Sequence, residues 1–123
     1  MKKEIKSYLV IDKTDFSQQI KDRIVIGNEL SLRQITSREA FENFKTEISD
    51  WINFNLDLLK QSFDNPDNEY RHEYNRLSLP WSFFGLHSIA GDTELSKKII
   101  SRSVRGLEKI LSKLDLIPVK GNV

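Results

Sequence analysis

The fold is decided between Thr36 and Phe63, where the chain reads TSREAFENFKTEISDWINFNLDLLKQSF. Phe41, Phe44, Ile48, Trp51, Ile52, Leu56, Leu59 and Phe63 recur three or four residues apart, the period that lines up one face of an α-helix. Thr36-Ser37-Arg38-Glu39 has the form of a capping box, with the Thr36 hydroxyl on an orphan backbone N–H and Glu39 reaching back. Phe54 and Leu58 widen the stripe, which predicts that its second half is covered on more than one side. Trp51 shares a face with Phe44 and Ile48 and is expected to anchor a core. Asn65-Pro66 stops the helix near Phe63, because proline disfavours a helical residue before it. The same pair is suited to open the next helix, with Asn65 as N-cap, Pro66 at the first position and Asp67 and Glu69 in the first turn. Tyr70, Tyr74 and Leu77 give that short helix its apolar edge.

Toward the C-terminus a second long helix is expected from about Thr93 to Leu114. Ile100, Val104, Leu107, Leu111 and Leu114 form a coiled-coil-like seam, and Leu95, Ile99 and Ile110 broaden it. Gly106 weakens this helix by about 1 kcal/mol against alanine unless close packing requires it. Pro118 and Gly121 end the structure. Toward the N-terminus the reading divides. Asp15 with Gln18 opens a helix carrying Phe16, Ile20, Ile24 and Leu30. Against that, the β-branched run up to Ile26, then Gly27-Asn28 and the alternation Glu29-Leu30-Ser31-Leu32, read as a short hairpin near residues 23–33. The fold class expected is all-α: a small bundle of about four helices with a long uncharged aromatic loop. Residues 1–14 read as an N-terminal arm, 15–118 as a single helical domain, and 119–123 as a frayed tail.

Composition agrees with a globular chain. It has 123 residues, 38% of them hydrophobic, with seven Phe, three Tyr and two Trp, enough for one core without staples. The absence of cysteine removes thiol catalysis, disulfides and the common structural zinc sites, and it suits a reducing compartment. No signal peptide or membrane span is legible, so a cytoplasmic location is expected. The net charge of +1 is unevenly spread. Residues 1–35 carry seven basic and five acidic side chains, 36–75 four and nine, and 76–123 eight and four. Contact between the acidic middle and the basic end is favoured, within one molecule or between two. The basic excess is too small for wholesale nucleic-acid binding.

No arrangement of residues points to catalysis. His72-Glu73 begins a zinc-protease pattern, but the fourth position after His72 is Arg76, so no metal is expected and no cofactor is implied. The spacing of Arg71 and Arg76 to His72 and His87 does not fit the Arg–His motif of HEPN-type helical ribonucleases. Phosphate loops and nucleophile elbows are absent. Two surfaces remain. Leu77 to Gly91 is free of charge over fifteen residues and holds Trp81, Phe83 and Phe84. It is either a core-lining connector or a sticky face for a partner. On the last helix Lys98, Arg102, Arg105, Lys109 and Lys113 repeat about one turn apart, a stripe that reads as a plain solvated face, as a match for an acidic protein surface or, less well, as a match for phosphates. Trp81, Phe83, Phe84, Lys98, Arg102, Arg105 and Lys109 are therefore the expected partner-binding residues. Symmetric dimerisation is a further expectation, since so much apolar surface needs cover.

The run Trp51 to Phe63 with Asn65-Pro66 and Glu69-Tyr70, and the closing Leu107 to Pro118, resemble a helical module at the N-terminus of bacterial and prophage proteins. That module often precedes TIR-like or other effector domains of phage defence. The resemblance covers roughly residues 15–118 and brings no catalytic residues with it. It implies a sensing, docking or oligomerising role. The function expected is thus a non-catalytic interaction module binding a protein partner or its own copy. A small nucleic-acid-associated protein is the alternative, and no membrane contact is expected.

Overall fold

Helix α2 spans Arg38–Gln61 and helix α4 spans Ile89–Ser112, the two long elements that the apolar period marks out. The computed structural model describes residues 7–76 and 88–120, and adds α1 (Lys13–Ser31), α3 (Glu69–Asn75) and a 3-10 turn, Leu114–Leu116. The domain is an all-α bundle. Helices α2 and α4 pack on one another, and α1 and α3 each pack on both. With little contact between α1 and α3 themselves, those two lie on opposite sides of the α2–α4 pair. The core is built from Phe41, Phe44, Ile48, Trp51 and Leu59 on α2 and Ile99, Ile100, Leu107 and Ile110 on α4, closed by Phe16 and Ile20 of α1 and Tyr74 of α3. The expected α4 seam is buried at Ile100, Val104 and Leu107 and half-buried at Leu111 and Leu114.

The hairpin near 23–33 does not form; residues 23–31 complete α1, and Leu32 is its C-cap. Gly27 is a packing glycine rather than a turn glycine. A Cβ there would lie 2.8 Å from Val104 Cγ2 and 2.9 Å from Trp51 Cη2, so its bare backbone lets the indole and α4 close on α1. That tertiary closure outweighs the weak strand preference of Ile24-Val25-Ile26. Val25 and Ile26 are left exposed.

Three helix starts differ from expectation, and a capping side chain sets each of them. Ser37, not Thr36, caps α2 by accepting from Ala40 N at 3.0 Å, which puts alanine where a capping box needs Glu or Gln. Asn68, not Asn65, caps α3: its Oδ1 accepts from Arg71 N at 2.9 Å while its Nδ2 donates to Leu59 O at 2.8 Å. Because the buried Asn68 amide ties α3 to the end of α2, it displaces the Asn65-Pro66 start. Asn65 instead closes a short turn, accepting from Asp67 N at 3.1 Å. Helix α4 opens at Ile89, earlier than the expected Thr93, because Ser88 caps it through Gly91 N at 3.0 Å.

The first and last described segments join the bundle. Leu9, within the segment read as an N-terminal arm, is fully buried. Its N–H donates to Pro118 O and its carbonyl accepts from Lys120 N, each at 2.8 Å, while Val10 N donates to Ser62 O and Asp64 N to Tyr8 O, each at 2.9 Å. Val119 and Lys120, read as the start of a frayed tail, are thereby held. Ser7 adds a hydroxyl bond of 2.7 Å to Glu69 on α3. Residues 7–10 form a strap across the bundle end.

Candidate functional site

Helical geometry carries Lys98, Arg102, Arg105, Lys109 and Lys113 to one face of α4, turned away from the buried Ser96, Ser103 and Leu107. Every one of the five is exposed. Lys109 Nζ lies 3.3 Å from Glu73 Oε1 and Lys113 Nζ 3.8 Å from Glu73 Oε2, so α3 answers the far end of the stripe. These are solvent-facing pairs of the kind worth about 0–1 kcal/mol. Lys98, Arg102 and Arg105 have no ion pair among the described residues. Trp81, Phe83, Phe84 and His87 lie outside the described residues.

Part of the charge layout is answered within the chain. Lys120 reaches Asp64 at 3.7 Å, and Arg33, just beyond α1, forks onto Glu47 of α2 through two nitrogens, one at 3.1 Å. That fork raises the Arg33 pKa above its ordinary value. Asp92, fully buried at the start of α4, meets Arg38 of α2 at 2.8 Å. The Asp64 carboxylate is held below its ordinary range, first by the Tyr8 N–H and also by Lys120.

A buried polar chain, which sequence reasoning missed, crosses the bundle. Arg23 Nε of α1 donates to Asn55 Oδ1 of α2 at 2.6 Å, and Asn55 Nδ2 donates to the Tyr74 hydroxyl of α3 at 2.8 Å. The buried Ser103 hydroxyl of α4 lies near the same phenol but makes no hydrogen bond among the described residues. Trp51 Nε1 donates to Arg23 O at 2.9 Å, and the Arg23 guanidinium lies 4.1 Å over the Phe54 ring. Phe54 is thus topped by a cation rather than covered as expected, and it stays 56% exposed. Burial lowers the Arg23 pKa and raises that of Tyr74. A phenol held neutral in this way fixes helix register; it neither accepts nor gives up protons near neutral pH. The available signal was Asn55 itself, a polar residue at a core position between Trp51 and Leu59.

Two surface grooves accompany these features. One, of about 350 Å³, is lined by Ile11, Gln19, Phe54, Asp57, Leu58 and Gln61; the other, of about 330 Å³, runs between Asn28 and Ser31 of α1 and Ile100, Val104 and Arg105 of α4. Among the described residues no group of three or more His, Cys, Asp or Glu is placed to hold a metal ion. Nor is any described helix long and apolar enough to cross a membrane. Fold and surface together define an all-α domain with one strongly basic helix face. No family model, curated protein or solved structure matches the chain.

Proposed function

We propose that the domain is a non-catalytic docking module whose working surface is the basic face of α4, and whose partner is an acidic protein surface. One observation carries this. Lys98, Arg102 and Arg105 stand exposed without an ion pair among the described residues, whereas Glu47, Asp64, Glu73 and Asp92 are answered within the chain. A rigid helix holding three unanswered cations on one side presents a pre-arranged field to an incoming surface. The resemblance to phage-defence modules would make this the sensing or docking part of a bacterial, cytoplasmic assembly.

Phosphates would meet the same stripe, which is the basis of the nucleic-acid alternative. Helix α4 contains no aromatic residue on which a base would stack, so the protein surface is favoured. Fluorescence anisotropy with an acidic helical peptide and with a short DNA duplex, both at low salt, separates the two. The proposal expects peptide binding that is lost on Arg102→Glu with Arg105→Glu. Duplex binding that falls steeply with salt and vanishes in the same variant would establish the alternative instead.

A further inference from the structure

The outer face of α2 carries acids that match the unanswered cations of α4. Glu39, Asp50 and Asp57 fall on one strip, with Asn43, Thr46 and Asn53 between them, on the side opposite Phe44, Ile48 and Asn55. All three acids are exposed and have no ion pair among the described residues. The flanking Glu42 and Glu47 are occupied by Lys45, at 3.2 Å, and by Arg33. Spacing agrees as well as sign. Seven residues separate Asp50 from Asp57, Lys98 from Arg105, and Arg102 from Lys109, about 10.5 Å along each helix axis. A seven-residue repeat stays in register when two helices cross at a shallow angle. Phe54, 56% exposed, lies beside the two aspartates with one ring face on Arg23, and the exposed part of its ring is available to an incoming arginine.

We infer that the partner of the basic face is a second copy of this chain, joined head-to-tail, with the α4 stripe of one copy on the α2 stripe of the next. This rests on the reading of α4 as a docking surface. The geometry of the bundle sets the symmetry. Helices α2 and α4 face each other with α1 and α3 on either side, so their outer strips lie on opposite sides of the domain. A two-fold dimer cannot bring both strips into one interface. A head-to-tail contact leaves each terminal copy with one strip unused, so the association continues past two copies or closes into a ring.

Sedimentation equilibrium over a concentration series tests this with three proteins: wild type, Arg102→Glu/Arg105→Glu, and Asp50→Lys/Asp57→Lys. At low salt the wild-type mean mass should rise past two copies, and it should return to one copy near 1 M salt, where the Debye length is about 3 Å. Each variant alone, with like charge on both strips, should stay at one copy and melt at the wild-type temperature. Mixing the two variants should restore growth, because each strip again meets its opposite, a rescue that misfolding would not allow. A wild type that stays at one copy, a mass that stops at two, or a mixture that fails to grow overturns the inference. If the wild type stays at one copy yet still binds the acidic peptide through Arg102 and Arg105, only the choice of partner fails. If it neither assembles nor binds the peptide, the docking reading fails with it.

Discussion

Helices α2 and α4 are near twins in construction and opposites in charge. Each has 24 residues and opens on a serine whose hydroxyl accepts a backbone N–H at 3.0 Å. Each buries one apolar stripe, aromatic on α2 and aliphatic on α4. Their outer faces differ in sign, with Glu39, Asp50 and Asp57 on one and Lys98, Arg102 and Arg105 on the other. Packing dictates the inner faces, where a single methylene is felt. Nothing in packing dictates the outer signs, since exposed substitutions seldom move stability by more than about 0.5 kcal/mol. The inner faces therefore report the fold, and the proposed docking reading rests on the outer ones.

Substitutions along these two faces sharpen that contrast. The largest effect is expected at Trp51, 3% exposed at the crossing with α1. Trp51→Ala should cost about 3–5 kcal/mol in urea unfolding, the range for truncating a buried large aromatic. A loss below 1 kcal/mol would mean the indole does not hold the crossing. Gly27→Ala comes next, at about 1–3 kcal/mol, because the new methyl overlaps Trp51 and Val104. An unchanged or raised melting temperature there would show that the helices have room to separate.

Tyr74→Phe should cost about 1–3 kcal/mol by leaving the buried Asn55 amide without its acceptor. It should also change the alkaline limb of stability. Burial raises the Tyr74 pKa above its ordinary value of 10.0, so the folded state keeps a proton that the unfolded state has released. That stability is complete below pH 10 and declines as pH rises toward the folded pKa, by at most about 1.4 kcal/mol per pH unit. The half-buried Tyr70, shifted the same way by burial, contributes a second such slope. Urea melts of wild type and Tyr74→Phe above pH 10 should show the shallower decline in the variant. Equal slopes would show that Tyr74 does not titrate with folding. The smallest effect belongs to the outer face: Asp50→Asn with Asp57→Asn should shift unfolding by less than about 0.5 kcal/mol.

The sequence was legible where one helix sufficed to explain a residue. The three-and-four spacing from Phe41 to Leu59 and from Ile99 to Ile110 marked both buried faces, and the same period exposed the basic stripe. It was not legible where two elements share a residue. Gly27 looked like a turn signal because its reason for being glycine, the Trp51 indole, arrives from another helix. Asn65-Pro66 carried the stronger local start signal, yet Asn68 caps α3 because its amide also reaches back to Leu59. Leu9 belongs to a run of only four apolar residues, and it is held by backbone bonds to Pro118 and Lys120, which no local pattern connects to it. Tyr74 read only as part of an apolar edge, and only assembly joins it to Arg23 and Asn55 in a chain.

The division of labour between inner and outer faces is tested most directly by amide chemical shifts of the wild-type protein across a dilution series at low salt. The account predicts concentration-dependent shifts on two separated strips, around Glu39, Asp50 and Asp57 on α2 and around Lys98, Arg102 and Arg105 on α4, with Trp51, Ile100 and Leu107 unmoved. Shifts on only one of the two strips, or concentrated instead on the exposed apolar residues Val25, Ile26 and Leu32, would contradict it.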